Sequence, residues 1–472
     1  MPLQTQLDVT AGSETAGTMV SNGGTSIEKR TIRKLQIRLL PFLFLLYVVA
    51  FIDRINIGFA ALTMNKELAI TSQQFGFAAG IFFFGYFLFE VPSNLLLHKI
   101  GARVWITRIL ITWGILATLT GFVHTVHQLY AARFLLGLAE AGYFPGIVLY
   151  LTYWFRQRER AQAIALLLTG LPVASILGAP ISGLILDHAH WVGISSWRWL
   201  LALEGLPAIA CGFLTYFLLP NRPADATFLT AEEKEWIQVN LLREECDKLN
   251  QQRYSVHQAM ASGRVWYLSV ISFGVLIGLY TLTFWTPQLL KSLSGRYSNT
   301  AVGALVMIPH LIGLVAMVFV SRSSDRRQER RYHAAIPVFV GGFALLLMGI
   351  FHSPFFLVAL LSLLAAGVYS FPGPFWALPC EFLTGASAAA GIGLINSVAN
   401  LGGFVGPYAI GVMSGWTGGI YGGLAFVGIP LLVSATLLVL LPRRTQVHNF
   451  KGSHLYTLSN HARVASSAGL LK

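Results

Sequence analysis

Residues 38–61 read RLLPFLFLLYVVAFIDRINIGFAA, and this segment decides the fold of the chain. A helix needs about 20 mostly apolar residues to cross the hydrocarbon core of a bilayer, and the segment has that length. Asp53 and Arg54 lie in its interior. A charge at the bilayer centre costs about 2.5–3.5 kcal/mol on insertion scales, so both side chains are expected to face other helices and not lipid.

The rest of the chain repeats this pattern. Of its 472 residues, 55% are hydrophobic and only 11% are charged, whereas a soluble domain has about 25% charged residues. The net charge of +13 comes from short clusters between apolar segments, which argues against a nucleic-acid-binding protein. We predict an all-α membrane protein with 12 transmembrane helices, near 38–61, 74–97, 104–124, 128–152, 162–186, 198–219, 265–290, 300–321, 334–352, 354–379, 386–413 and 419–441.

The longest polar interval divides the helices into six plus six. It contains the run TAEEK at 230–234, which predicts a capped amphipathic helix at the membrane surface. The resulting organisation is an N-terminal tail, a six-helix half, a central loop, a second six-helix half and a C-terminal tail, with bounds 1–36, 37–219, 220–264, 265–441 and 442–472.

Lysine and arginine are distributed unevenly between the two sides. If the N-terminus is cytoplasmic, 27 of the 33 lie on the inner side and four on the outer side, while Arg54 and Arg133 lie within helices. Positive residues favour the cytoplasmic side, so both termini are predicted to be cytoplasmic. We therefore expect a multi-pass protein of the plasma membrane or bacterial inner membrane.

The two halves resemble duplicated units. The sequence GAP at 178–180 with Gly183 corresponds to GP at 406–407 with Gly411, at a spacing of 228 residues. Duplicated halves are typical of alternating-access transporters, in which the substrate site lies between the halves. The sequence therefore predicts two pseudo-symmetric six-helix halves.

Five charged residues inside the predicted helices are the main candidates for function: Asp53, Arg54, Glu90, Arg133 and Glu140. All five lie in the first half. Arg133 and Glu140 are seven residues apart and so share one helix face. Intramembrane charges are functional by default, and we expect these residues to pair around a central cavity. The role of Glu90 stays open between coupling and a purely structural tie.

The second half does not repeat these charges. At the 228-residue offset, Asp53, Arg133 and Glu140 correspond to Thr281, Leu361 and Val368. The second half instead offers neutral donors and aromatic residues: Tyr280, Trp285, His310, Tyr369, Ser370, Trp376, Asn396, Asn400 and Tyr408. Asn396 and Asn400 lie four apart on one helix face, where they either bind substrate or join neighbouring helices.

Four motifs give the chain a recognisable resemblance. They are FIDRINIG at 51–58, FEVPSN at 89–94, RFLLGLAEAG at 133–142, and LINS at 394–397 followed by NLGG at 400–403. Together they resemble the anion:cation symporter branch of the major facilitator superfamily, over about residues 30–445. That branch includes bacterial permeases for tartrate, phthalate, sugar acids and aromatic acids.

The resemblance implies roles for individual residues. Asp53 and Glu140 match proton-binding carboxylates, and Arg54 and Arg133 match arginines of which one engages the substrate carboxylate. Tyr86 and Asn400 match substrate-contacting positions. Asp325 and Arg326 match the gating loop after helix 8. The first gating loop departs from the superfamily pattern, because His98 stands where an aspartate is usual.

The predicted function is proton-coupled symport of a small organic anion by a monomer in the lipid bilayer, without cofactor or metal. An exporter or antiporter and a non-transporting nutrient sensor remain alternatives. A membrane enzyme has no support from any nucleophile–base motif, metal cluster or phosphate loop. The three cysteines, Cys211, Cys246 and Cys380, form no CxxC pair.

Overall fold

The computed structural model describes residues 11–250, 255–293, 296–383 and 385–441, and these residues contain helices but no strands. The predicted C-terminal tail, 442–472, lies outside the described residues. The helices of the first half are α1 Ala11–Glu67, α2 Ser72–Ile100, α3 Ala102–Thr120, α4 Val126–Glu140, α5 Tyr143–Thr152, α6 Gln157–Leu168, α7 Gly170–His188 and α8 Ser196–Leu218.

The remaining helices form the central loop and the second half. The loop contains α9 Ala231–Asn250 and α10 Val256–Ala261. The second half contains α11 Gly263–Leu293, α12 Asn299–Arg327, α13 Arg331–Met348, α14 Pro354–Ser370, α15 Pro372–Cys380, α16 Gly385–Asn400, α17 Gly402–Thr417 and α18 Ile420–Leu440.

Eleven helical segments among the described residues are long and apolar enough to cross a membrane, and each contains most of one predicted helix. The predicted helix near 386–413 corresponds to α16 and α17, which have 16 residues each. A turn at Leu401 separates them, so neither reaches the length of a span alone. The all-α membrane fold is confirmed, and its eleventh element consists of two helices, as do the segments formed by α4 with α5, α6 with α7 and α14 with α15.

The two halves meet through two pairs of helices that correspond to each other. One pair is α2 with α17, and the other is α12 with α7. Both contacts depend on glycine: a methyl group at Gly183 would lie 2.4 Å from the carbonyl oxygen of Asn299, and one at Gly411 would lie 2.4 Å from that of Ser72. The 228-residue offset relates the two glycines. The two halves therefore contact each other through equivalent glycines, at each of which the backbones of two helices approach closely.

One additional contact between the halves has no duplicate. Asp187, near the end of α7, accepts hydrogen bonds through Oδ1 from the backbone N–H and side-chain amide of Asn299, at 3.0 and 2.8 Å. Its Oδ2 accepts from the backbone N–H and hydroxyl of Thr300, both at 2.7 Å. A helix N-terminus attracts a carboxylate, and here that terminus belongs to α12. We call these four bonds the Asp187 latch; the corresponding residue in the second half is Gly415.

The central loop is attached to the start of the first transmembrane helix. Thr230 and Glu233 form the predicted capping box, with Thr230 N–H donating to Glu233 at 2.9 Å and Glu233 N–H donating to Thr230 Oγ1 at 3.3 Å. The same carboxylate accepts from Arg30 Nε and Lys34 Nζ of α1, both at 2.9 Å. Burial raises the pKa of Glu233, but these donors outweigh burial and hold the pKa below its ordinary value.

Glu233→Gln is expected to lower the stability of the protein by about 1–2 kcal/mol, because glutamine keeps the cap but loses both ion pairs. A lowered pKa stabilises the fold above the ordinary carboxyl pKa. The difference from wild type should therefore be full at pH 7 and shrink as the pH falls through the lowered pKa. Thermal unfolding of the purified protein measures it. Glu232→Gln is the control, since Glu232 is 73% exposed and lies 3.6 Å from Arg30; an equal loss in both variants would contradict the assignment.

Candidate substrate and proton site

An ion pair between α1 and α4 forms the centre of the site. Arg54 donates from Nε to Glu140 Oε1 at 2.8 Å and makes a second contact to the same oxygen through Nη2. Arg54 Nη1 also donates to the hydroxyl of Tyr280, on α11, at 3.4 Å. Because α11 belongs to the second half, this arginine bridges the two halves, as expected for a site at their interface.

The break in the fourth transmembrane segment sets the position of Glu140. This residue is the last of α4, and α5 begins only at Tyr143. Gly142 between them has φ +81°, and a methyl group there would lie 2.4 Å from Ser93 Oγ on α2. The motif glycine thus permits a sharp bend against α2, which leaves the carboxylate at a helix end beside Arg54.

Arg133, on α4, is buried, with 2% of its surface exposed. Its guanidinium is 5.0 Å from the ring centre of Phe82, and that of Arg54 is 5.4 Å from the same ring. Within the described chain, Arg133 Nε and Nη2 are buried and have no hydrogen-bond partner. A buried cation with two unused donors is costly on its own and is therefore a strong candidate to bind an anion.

Asp53 points away from Arg54, although the two residues are adjacent. Its Oδ2 accepts from the indole N–H of Trp113 on α3 at 2.7 Å, and its Oδ1 lies 3.4 Å from Asn56 Nδ2. No lysine or arginine in the described part of the chain forms an ion pair with it. The two predicted proton-binding acids therefore occupy different surroundings: Glu140 is paired with a cation, and Asp53 has neutral donors.

Three other candidates connect α2 with this region. The ring centre of Tyr86 lies 5.4 Å from the Arg54 guanidinium. Glu90, one turn further along, accepts hydrogen bonds from Asn396 Nδ2 at 3.0 Å and Ser397 Oγ at 2.8 Å, both on α16. Glu90 and Asn396 thus connect the two halves by hydrogen bonds. This contact agrees with the interpretation of Glu90 as a structural tie and of Asn396 as a residue that joins neighbouring helices. A coupling role for Glu90 and a substrate-binding role for Asn396 stay predictions.

The last three candidates lie apart from the ion pair. Asn400 is buried at the end of α16, beside the turn at Leu401. In the last turn of α12, Asp325 pairs with Arg330 of the following loop at 2.5 Å, while Arg326 is exposed. The ion-pair partner of Asp325 is therefore five residues away in the same segment of chain.

Sequence reasoning missed a sixth buried charge inside the first half. Glu204 on α8 is 5% exposed and accepts from Ser182 Oγ at 2.7 Å. It lies within the predicted helix 198–219, so the rule that selected the other five residues applies equally to it. Trp113 was also missed, because no sequence pattern distinguishes an indole that binds a carboxylate from one that packs.

Comparisons with known proteins agree with this architecture. The sequence model of the Major Facilitator Superfamily matches residues 43–407. A protein named "Putative tartrate transporter" from Agrobacterium vitis is 44% identical over 88% of this chain and 92% of its own length. The "Quinolone resistance transporter" of Acinetobacter baumannii is 39% identical over 87% of this chain and 94% of its own length.

The fold is also similar to a solved structure. The xylose transporter XylE from E. coli, in a partially occluded inward-open conformation, has a TM-score of 0.67 at 14% identity, covering 86% of this chain and 99% of that one. The prediction of a transporter, and not an enzyme, is confirmed by the family match and the full-length relatives. The chain belongs to the Major Facilitator Superfamily and is a multi-pass membrane transporter.

Proposed function

We propose that the protein is a proton-coupled symporter that takes up a small organic anion, such as tartrate, a sugar acid or an aromatic acid. The single observation that carries this proposal is Arg133, whose buried guanidinium keeps Nε and Nη2 free of protein partners in the described chain. A carboxylate matches such a planar pair of donors. The relative named for tartrate supports the same class of substrate.

Coupling to protons follows from the charges around Arg133. Glu140 and Asp53 both interact electrostatically with this arginine. While they are ionised, they compete with a substrate carboxylate for the positive charge and repel it. Protonation of either acid removes that repulsion, so proton binding and anion binding favour each other. When Glu140 is protonated, Arg54 also loses its ionic partner and becomes available to the substrate.

The proposed direction is uptake, with both termini in the cytoplasm of the cell that holds the protein in its plasma or inner membrane. In this orientation the Asp187 latch joins the two halves on the outer side. A membrane potential, negative inside, contributes about 2.3 kcal/mol per charge per 100 mV. A monoanion must therefore enter with at least two protons for the potential to assist uptake.

Reconstitution of the full chain in liposomes tests the function, after a thermal-shift screen against tartrate, sugar acids and aromatic acids has identified a ligand. At zero membrane potential, one pH unit can drive about tenfold accumulation for each coupled proton. Accumulation driven by an acidic exterior and abolished by a protonophore is the expected result. Binding without any flux would indicate a sensor and contradict the proposal.

The second candidate is an exporter or antiporter that uses the same site. The relative named as a quinolone resistance transporter favours it, since that name describes resistance to a drug. Liposomes loaded with unlabelled ligand separate the two functions. Rapid counterflow without any accumulation under a pH gradient would identify an exchanger, whereas a symporter shows both.

A further inference from the structure

Glu204 is a buried acid that the proposed mechanism does not use. It lies on α8, where Ser182 Oγ of α7 donates to its Oε1 at 2.7 Å. Its other oxygen, Oε2, is buried and has no hydrogen-bond partner among the described residues. A carboxylate buried with one neutral donor is poorly compensated for its loss of water.

The surroundings of Glu204 connect it to Asp53. Asn56 lies three residues after Asp53 on the same face of α1, and its amide is 3.4 Å from Asp53 Oδ1. The amide of Asn56 also acts electrostatically on Glu204, without a hydrogen bond of ordinary geometry, and the charges of Glu204 and Asp53 interact. Asp53, Asn56, Glu204 and Ser182 thus form one polar cluster, here called the Glu204 cluster.

No lysine or arginine of the described chain forms an ion pair with Glu204, and the cation that acts on Asp53 is Arg133, on α4. From α1 the ionisable neighbour is Asp53, and from α7 the polar neighbour is the hydroxyl of Ser182. From α3, Gly114 and Thr118 pack closely against Gly205. Glu140 differs, because Arg54 neutralises it. Asp53 and Glu204 repel each other and neither forms an ion pair, so keeping both ionised is costly.

We propose that Glu204 is a further proton-binding residue of the transport cycle, whose protonation is coupled to that of Asp53 through the shared neighbour Asn56. This inference rests on the proposed proton symport. The cluster is confined to the first half: at the 228-residue offset, Asp53 and Glu204 correspond to Thr281 and Leu432. The Arg133 site and the Glu204 cluster meet at Asp53, so substrate binding can reach Glu204 through that acid.

Steady-state accumulation in liposomes at a fixed pH gradient of one unit and zero membrane potential tests the proposal. Glu204→Gln should bind substrate but lose one coupled proton, so its accumulation ratio should fall about tenfold. Ser182→Ala removes a donor that favours the ionised form. Its accumulation ratio should stay at the wild-type value, while the midpoint of its pH–uptake profile moves to higher pH.

A matched control and the contrary outcomes complete the test. Ser269→Ala removes another buried serine, one whose hydroxyl donates within its own helix to Val265 O at 2.9 Å, and it should leave ratio and midpoint unchanged. A wild-type ratio in Glu204→Gln together with an unshifted midpoint in Ser182→Ala overturns the inference. If Glu204→Gln does not fold, the midpoint of Ser182→Ala decides alone. Failure of the wild-type protein to accumulate substrate would instead refute the proposed function.

Discussion

Arg133→Lys is expected to weaken substrate binding by about 30-fold or more, even though the positive charge is kept. Removing one partner of a buried, hydrogen-bonded charge pair costs about 2–5 kcal/mol. Lysine is a compact point charge on a flexible stem, whereas the arginine here presents two free donors from one planar group beside Phe82. A ligand titration followed by calorimetry or thermal shift in detergent measures the loss.

The control for this substitution is Arg243→Lys, an exposed arginine on α9. This control should bind substrate with wild-type affinity. It shows whether an arginine-to-lysine change weakens binding only when it is made at Arg133. Wild-type affinity in Arg133→Lys would contradict the assignment of Arg133 to the substrate site. The proposed recognition of a carboxylate would then have to depend on Arg54, which Glu140 already occupies in this structure.

Asp53→Asn and Glu140→Gln are each expected to lower the proton-driven accumulation ratio by about tenfold at a gradient of one pH unit, while substrate exchange continues. Both changes preserve shape, and asparagine still offers an oxygen to the indole of Trp113. Each removes one coupled proton, so the pH gradient provides a smaller driving force. Parallel measurements of gradient-driven uptake and counterflow in the same liposomes check the result.

The two acids should differ in one respect. Glu140→Gln also removes the ionic partner of Arg54, so its substrate affinity should become higher and less dependent on pH than that of Asp53→Asn. Asp53 has no such partner among the described residues, and its substitution should leave the Arg54 contacts in place. Normal accumulation by both variants would contradict their proton-coupling role.

Apolar length and charge distribution were enough to predict the membrane fold. Eleven helices lie where the sequence placed them, because a bilayer imposes a length on every span and admits few charges. The turn at Leu401 was not predicted. The sequence around it, NLGG at 400–403, contains a glycine pair that favours a turn, and this signal was overlooked.

The candidate site could also be predicted only in part from the sequence. A shared helix face correctly grouped Arg133 with Glu140, and the cost of buried charge correctly placed Asp53 and Arg54 in the interior. Which acid pairs with which arginine depends on contacts between helices that are distant in sequence. Glu204, by contrast, was accessible to the same reasoning and was overlooked. A complete list of charges inside each predicted helix would have included it.

The Asp187 latch has a consequence for how scarce a substrate the carrier can capture. A binding-competent state that is populated only in part weakens the apparent affinity in proportion to its population. If the four bonds to Asn299 and Thr300 hold the exterior closed, their strength sets the fraction of carriers that are open to ligand at any moment. A single carboxylate outside the proposed substrate site would thus tune the nutrient concentration at which uptake becomes half-maximal.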